Sequence, residues 1–119
     1  MGKILDFEYY MKDKLCSRVH VDYDKQTIDV ENFTDDLIEQ AFGLQKITID
    51  SIDEFFRDRV FPETRVDVDV LLELLDLKVF DAEAIARKTH GMMTHDFFWI
   101  RFDNEDFSYE DVKKIRGWG

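Results

Sequence analysis

The sequence predicts an α+β fold in a single small domain, residues 1–119, with an antiparallel hairpin and a late strand forming a small sheet covered by about four to five short helices. Three observations carry that expectation. Residues 15–33 alternate polar and apolar side chains, residues 49–88 carry apolar stripes at helical spacing, and the aromatic run FFWIRF follows at 97–102. No internal repeat, low-complexity tract or Gly/Ser/Pro-rich linker suggests a second domain.

In chain order, ILDFEYY at 4–10 fits a strand or a short helix, because its periodicity supports both. LCSRVHVDY sets Leu15, Ser17, Val19, Val21 and Tyr23 against Cys16, Arg18, His20 and Asp22, the period-2 pattern of a strand with one buried face. After a polar break at Asp24-Lys25-Gln26, Ile28 and Val30 alternate with Asp29 and Glu31, giving a hairpin whose outer face carries acid. Thr34 is a favourable N-cap, with Asp35 and Asp36 at the positive end of the helix dipole, and predicts a short helix closed by Gly43. Ile49, Ile52, Phe55, Phe56 and Val60 make the stripe of a second helix over about 50–60, ended by Pro62. A third starts at Thr64 or Asp67 and buries Val70, Leu71, Leu74 and Leu75, and a fourth is capped by Asp81 and stopped by Gly91. FFWIRF is the last strand, and Ser108 begins a terminal helix with a capping-box pattern.

Charge is the most informative feature of the composition. There are 27 acidic and 16 basic residues, a formal net charge of -11. Such a surface repels nucleic acid, whose binding depends on Lys and Arg displacing counterions, so direct DNA binding is not expected and a basic partner is. The acid is concentrated: Asp22, Asp24, Asp29, Glu31, Asp35, Asp36 and Glu39 face a single base, Lys25, between residues 19 and 45. A second cluster comprises Asp103, Glu105, Asp106, Glu110 and Asp111. A solvated face kept acidic for solubility produces the same pattern. The lone Cys16 excludes an internal disulfide. With no signal-like N-terminus, apolar span or lipidation motif, the expectation is a soluble cytoplasmic protein that does not engage a membrane.

Catalytic patterns are weak. His90, His95 and Asp96 supply metal-ligand types, but histidines five apart around Gly91 and two methionines depart from the i, i+4 pair of zinc helices. His90 as a helix terminus and His95 as a strand entry is the simpler reading. Cys16 and His20 share a strand face in the alternation, yet four strand residues separate them beyond hydrogen-bond reach. Arg57, Arg59 and Arg65 surround the proline turn and pair most simply with neighbouring acids. No catalytic residue, cofactor or metal is therefore assigned. In FFWIRF, Phe97, Trp99 and Arg101 share one face, which is either a second buried side or an interaction surface centred on Trp99.

The segments DRVFPETR (58–65) and RKTHGMMTHDFFWIRFD (87–103), with the opening DFEYYMKDKL, resemble small proteins carried by plasmids, phages and integrative elements of Gram-positive bacteria. Some of these look like type II-A anti-CRISPR proteins, inhibitors of the single-chain RNA-guided DNA nuclease. Similar endings occur in accessory proteins near toxin–antitoxin kinases, so the motif marks a fold more than an activity. Glu63 stands where the family pattern has a basic residue after Phe-Pro, which speaks against a nucleic-acid role for that turn. The resemblance implies no catalytic residue.

Together these features predict a non-enzymatic inhibitor that meets the nuclease's positive channel through Asp22, Asp24, Asp29, Glu31, Asp35, Asp36 and Glu39, with Asp103, Glu105 and Asp106 extending the surface. Two alternatives are an interaction or regulatory module of a mobile element, binding another basic protein or self-associating through Trp99, and a metal-dependent nuclease acting on guide RNA through His90, His95 or Asp96.

Overall fold

The computed structural model describes residues 3–44, 46–92, 97–102, 105–106 and 108–112. Strands β1 (Ile4–Met11), β2 (Lys14–Asp22), β3 (Thr27–Asn32) and β4 (Phe98–Phe102) form one antiparallel sheet in the order β3-β2-β1-β4. The described helices are α1 (Ile49–Asp58), α2 (Val68–Leu74), α3 (Ala82–Thr89) and α4 (Tyr109–Val112). This is the expected α+β domain, and the ambiguous opening segment is a strand. No helix among the described residues is long and apolar enough to cross a membrane.

Pairing fixes the two faces of the sheet. Leu5, Phe7 and Tyr9 of β1 stand opposite Val21, Val19 and Ser17 of β2, and all six are buried. Phe102 and Ile100 of β4 continue this inner face beside Phe7 and Tyr9. α1 packs onto it through Ile52, Phe55 and Phe56, with ring centroids 5.4 Å apart for Phe7 and Phe55 and 5.2 Å for Phe7 and Phe56. Each buried ring removes enough apolar surface to contribute about 2–3 kcal/mol, so this aromatic contact dominates the core. Ile85 and Ala86 of α3 complete the same cluster. Local signals support the helices: Thr48 and Ser51 form a reciprocal capping box at α1, and the Asp81 side chain accepts from the Ala84 N–H at α3.

Four expectations are corrected. Residues 33–44 form turns instead of a helix, because Thr34 Oγ1 accepts from the Asp36 N–H and Asp36 Oδ1 from the Ile38 N–H. The first bond is of the capping type, but the second takes the Ile38 amide that a helix capped by Thr34 would direct to the Thr34 carbonyl. In α2 the buried residue is Leu72, whereas Val70 and Leu74 are exposed, since α2 rests on the core by the side bearing Leu71, Leu72 and Leu75. A bulge in the β1–β2 pairing, between Tyr9 and Tyr10, leaves Cys16 as an extra residue and turns it inward beside Ser17. Cys16 therefore lies on the opposite face from His20.

The fourth concerns Trp99. It lies on the outer face and is only 1% exposed, enclosed with Met92 and Val112 and stacked on Tyr10 at 4.8 Å. Its Nε1 donates to the Lys12 carbonyl at 2.6 Å, which ties β4 to the β1–β2 turn. Trp99 thus buries the outer side of β4 at this position as well as the inner one, and the reading of it as a surface anchor falls.

Candidate functional site

Away from Trp99, the outer face of the sheet is charged, and cross-strand register explains how. Arg18 of β2 stands between Glu31 of β3 and Glu8 of β1, and Glu8 stands opposite Arg101 of β4. Glu8 accepts from Arg18 at 2.9 Å and from Arg101 at 2.6 Å, while Glu31 lies 3.7 Å from Arg18. The row therefore alternates in sign across all four strands, a favourable arrangement of directly opposed residues. The hydrogen bonds that Arg101 donates to Glu8 raise the guanidinium pKa further. A shallow depression of ≈ 250 Å³ opens over this row, its charges already paired.

In the adjacent row, His20 lies between Asp6 of β1 and Asp29 of β3. Its Nδ1 meets Asp6 Oδ1 at 2.5 Å. The hydrogen bond to Asp6, the charge of that carboxylate and the more distant charges of Asp29 and Asp22 raise the imidazole pKa above its ordinary value.

The sequence-predicted acids divide according to surroundings. Asp29 projects from the outer face, Asp24 is exposed in the β2–β3 turn, and Asp22 caps that turn by accepting from the Lys25 N–H. Asp35 and Asp36 are exposed in the segment after β3. Glu31 shares Arg18. Glu39 is 2.6 Å from Lys14 Nζ and also accepts from Thr34 Oγ1, and these bonds lower its pKa. Five acids, Asp22, Asp24, Asp29, Asp35 and Asp36, thus occupy one hairpin and its exit loop, while Glu31 and Glu39 are engaged with bases.

The second acidic cluster is mostly structural where it is described. Glu105 Oε1 accepts from the Phe102 N–H at 2.8 Å and lies 3.5 Å from His90 Nδ1, holding the chain as it leaves β4. Asp106 is exposed, and Asp103 lies outside the described residues. His90 is the left-handed C-cap of α3, with φ 57°, and its carbonyl accepts from the Ile100 N–H. His95 and Asp96 lie outside the described residues. Among those described, no three His, Cys, Asp or Glu side chains gather to hold a metal ion.

The arginines of the proline turn are structural as well. Arg57 pairs with Asp53 at 2.7 Å and Arg65 with Asp67 at 2.7 Å. Arg59 is buried and donates to the Gly91 and Phe98 carbonyls at 2.8 and 2.9 Å, bracing the approach to β4. Burial pushes the Cys16 thiol pKa up, which removes the thiolate that nucleophilic chemistry requires.

Sequence reasoning set Arg18 and Arg101 on strand faces without joining them into a site, and it did not single out Asp6 or Glu8. Alternation places each on a polar face, but only the register makes them neighbours. Among known proteins, no family model, curated protein or solved structure matches the chain.

Proposed function

We propose that this protein is a non-enzymatic inhibitor that occupies the basic nucleic-acid channel of a type II-A RNA-guided DNA nuclease in the cytoplasm of a bacterial host. The observation that carries the reading is the concentration of Asp22, Asp24, Asp29, Asp35 and Asp36 on one hairpin and its exit loop. Alternate residues of a strand repeat at about 6.8 Å, close to twice the spacing of about 3.4 Å between charges along one strand of a duplex. Asp29 and Glu31 have that alternate relation on β3. Carboxylates so placed suit a channel built to hold a phosphate backbone, and electrostatic steering speeds the encounter without cofactor or turnover. The resemblance of the segments at 58–65 and 87–103 to anti-CRISPR proteins names the class of channel.

A DNA-cleavage assay tests this, with the protein added before or after guide loading and guide integrity followed in parallel. Inhibition with intact guide RNA is expected, falling as salt is raised. Combined lysine replacement of the five aspartates should slow association by on the order of 100-fold, with retention of the fold checked by circular dichroism because Asp22 and Asp36 also accept backbone hydrogen bonds. Inhibition and binding that survive this charge reversal overturn the reading. Metal-dependent cleavage of the guide assigns the protein to nucleases instead.

A further inference from the structure

Among the described residues the sheet has one open edge, and its position beside a cleft gives it a specific use. β4 is partly closed, because its Ile100 N–H is taken by the His90 carbonyl. Among the described residues, β3 pairs only with β2. The Phe33 N–H donates to the Cys16 carbonyl at 2.8 Å, which sets the alternation of the β2–β3 ladder. By that alternation the backbone groups of Thr27, Asp29 and Glu31 face β2, and those of Ile28, Val30 and Asn32 face outward.

Next to this edge an open cleft of ≈ 510 Å³ separates β3 from the start of α1. Ile28, Ile47 and Ile49 supply its apolar walls, and Gln26, Thr48 and Asp50 its polar ones. An extended chain added to the edge would alternate side chains between the two faces of the sheet. One set would enter the cleft against the isoleucines, and the other would lie beside Asp29 and Glu31.

We propose that β3 is a strand-addition site for an extended segment of a partner protein in which basic residues alternate with apolar ones. The inference deepens the reading of an acidic surface and rests on it for the partner's charge. A second copy of this chain does not fit. Pairing β3 with its own counterpart would bring Asp29 and Glu31 of both copies together, and opposed like charges reject such pairing.

The test is amide NMR and hydrogen exchange on the whole protein, titrated with a short synthetic peptide of alternating lysine and valine. A peptide of the same composition, with the lysines and valines in separate blocks, is the control. The alternating peptide should protect the Val30 and Asn32 amides and shift Ile47 and Ile49, and the block peptide should not. Val30→Pro removes an outward N–H without breaking the β2–β3 ladder, a position where an edge strand tolerates proline. It should bind the alternating peptide about tenfold more weakly or worse. Ile47→Asp, which alters the cleft and leaves the edge backbone alone, should weaken binding independently and serves if the proline variant does not fold.

Equal binding of the two peptides, or shifts at Asp29 and Glu31 without amide protection, overturns strand addition. If salt-sensitive nuclease inhibition persists in that case, the acidic-surface reading stands without this mode of docking. Amide protection by the alternating peptide without nuclease inhibition leaves strand addition standing and overturns the inhibitor reading.

Discussion

His20 stands between carboxylates on both neighbouring strands, so the charge of the outer face depends on pH. Its pKa is raised chiefly by the hydrogen bond to Asp6. The native state therefore holds the proton more tightly than the unfolded chain, where the imidazole titrates near about 6.5. The stability from this pair is complete below that value and is lost as pH rises through the higher native pKa. Stability measured by denaturant titration should decline across this window relative to its value at lower pH, and His20→Gln should remove that decline. A wild-type profile parallel to that of His20→Gln would exclude the pair as its source. Gly91 is constrained in a different way. Its φ is 65°, and an added Cβ would lie 2.8 Å from Ile100 Cδ1 and 3.1 Å from Ile100 Cγ1. Gly91→Ala should therefore cost about 1–3 kcal/mol in unfolding free energy, from left-handed strain and crowding against β4.

Among the elements, α2 separates periodicity from burial. Val66, Val70 and Leu74 recur every four residues, yet Val66 is fully exposed and Leu74 is 67% exposed. Leu72 is the member that reaches the core. Leu72→Ala should cost about 2–3 kcal/mol and Leu74→Ala less than about 0.5 kcal/mol, compared by chemical denaturation. Comparable costs would mean that α2 is rotated relative to this arrangement. The hairpin illustrates a second effect of this kind. The β1–β2 bulge gives Cys16 and Ser17 the same inward direction, and Ser17 Oγ then accepts from the Ala41 N–H and donates to Asn32 Oδ1. This one hydroxyl fastens the segment after β3 to the sheet and so positions the acidic exit loop.

Across the entire domain, the two faces of the sheet have different roles. Helices α1 to α3 cover the inner face with the aromatic core, and the second cluster around Trp99 seals one corner of the outer face. The remainder of the outer face carries the alternating charge row and the hairpin acids. The acidity of the chain is therefore neither evenly spread nor all available: Glu8, Glu39 and Glu83 are engaged by Arg18 and Arg101, by Lys14, and by Lys3 and Arg87. Carboxylates on the hairpin turn and exit loop remain exposed at the two ends of β3, with Asp29 on the strand between them.

Local sequence is enough to specify the α+β class, the β2–β3 hairpin, helices α1 and α3, the Asp81 cap of α3, and the concentration of acid on residues 22–39, because each depends on neighbours within a few positions. Which of those acids are exposed is a matter of long-range contact, since Lys14 reaches Glu39 across 25 positions and Arg101 reaches Glu8 across 93. Long-range contact also settles the fate of Trp99 and Cys16. The alternation of FFWIRF allows either a covered or an open outer face, and the packing of Met92 and Val112 selects the covered one. A bulge adds one residue to a strand without changing local composition, so the face of Cys16 is legible only through its pairing across the sheet.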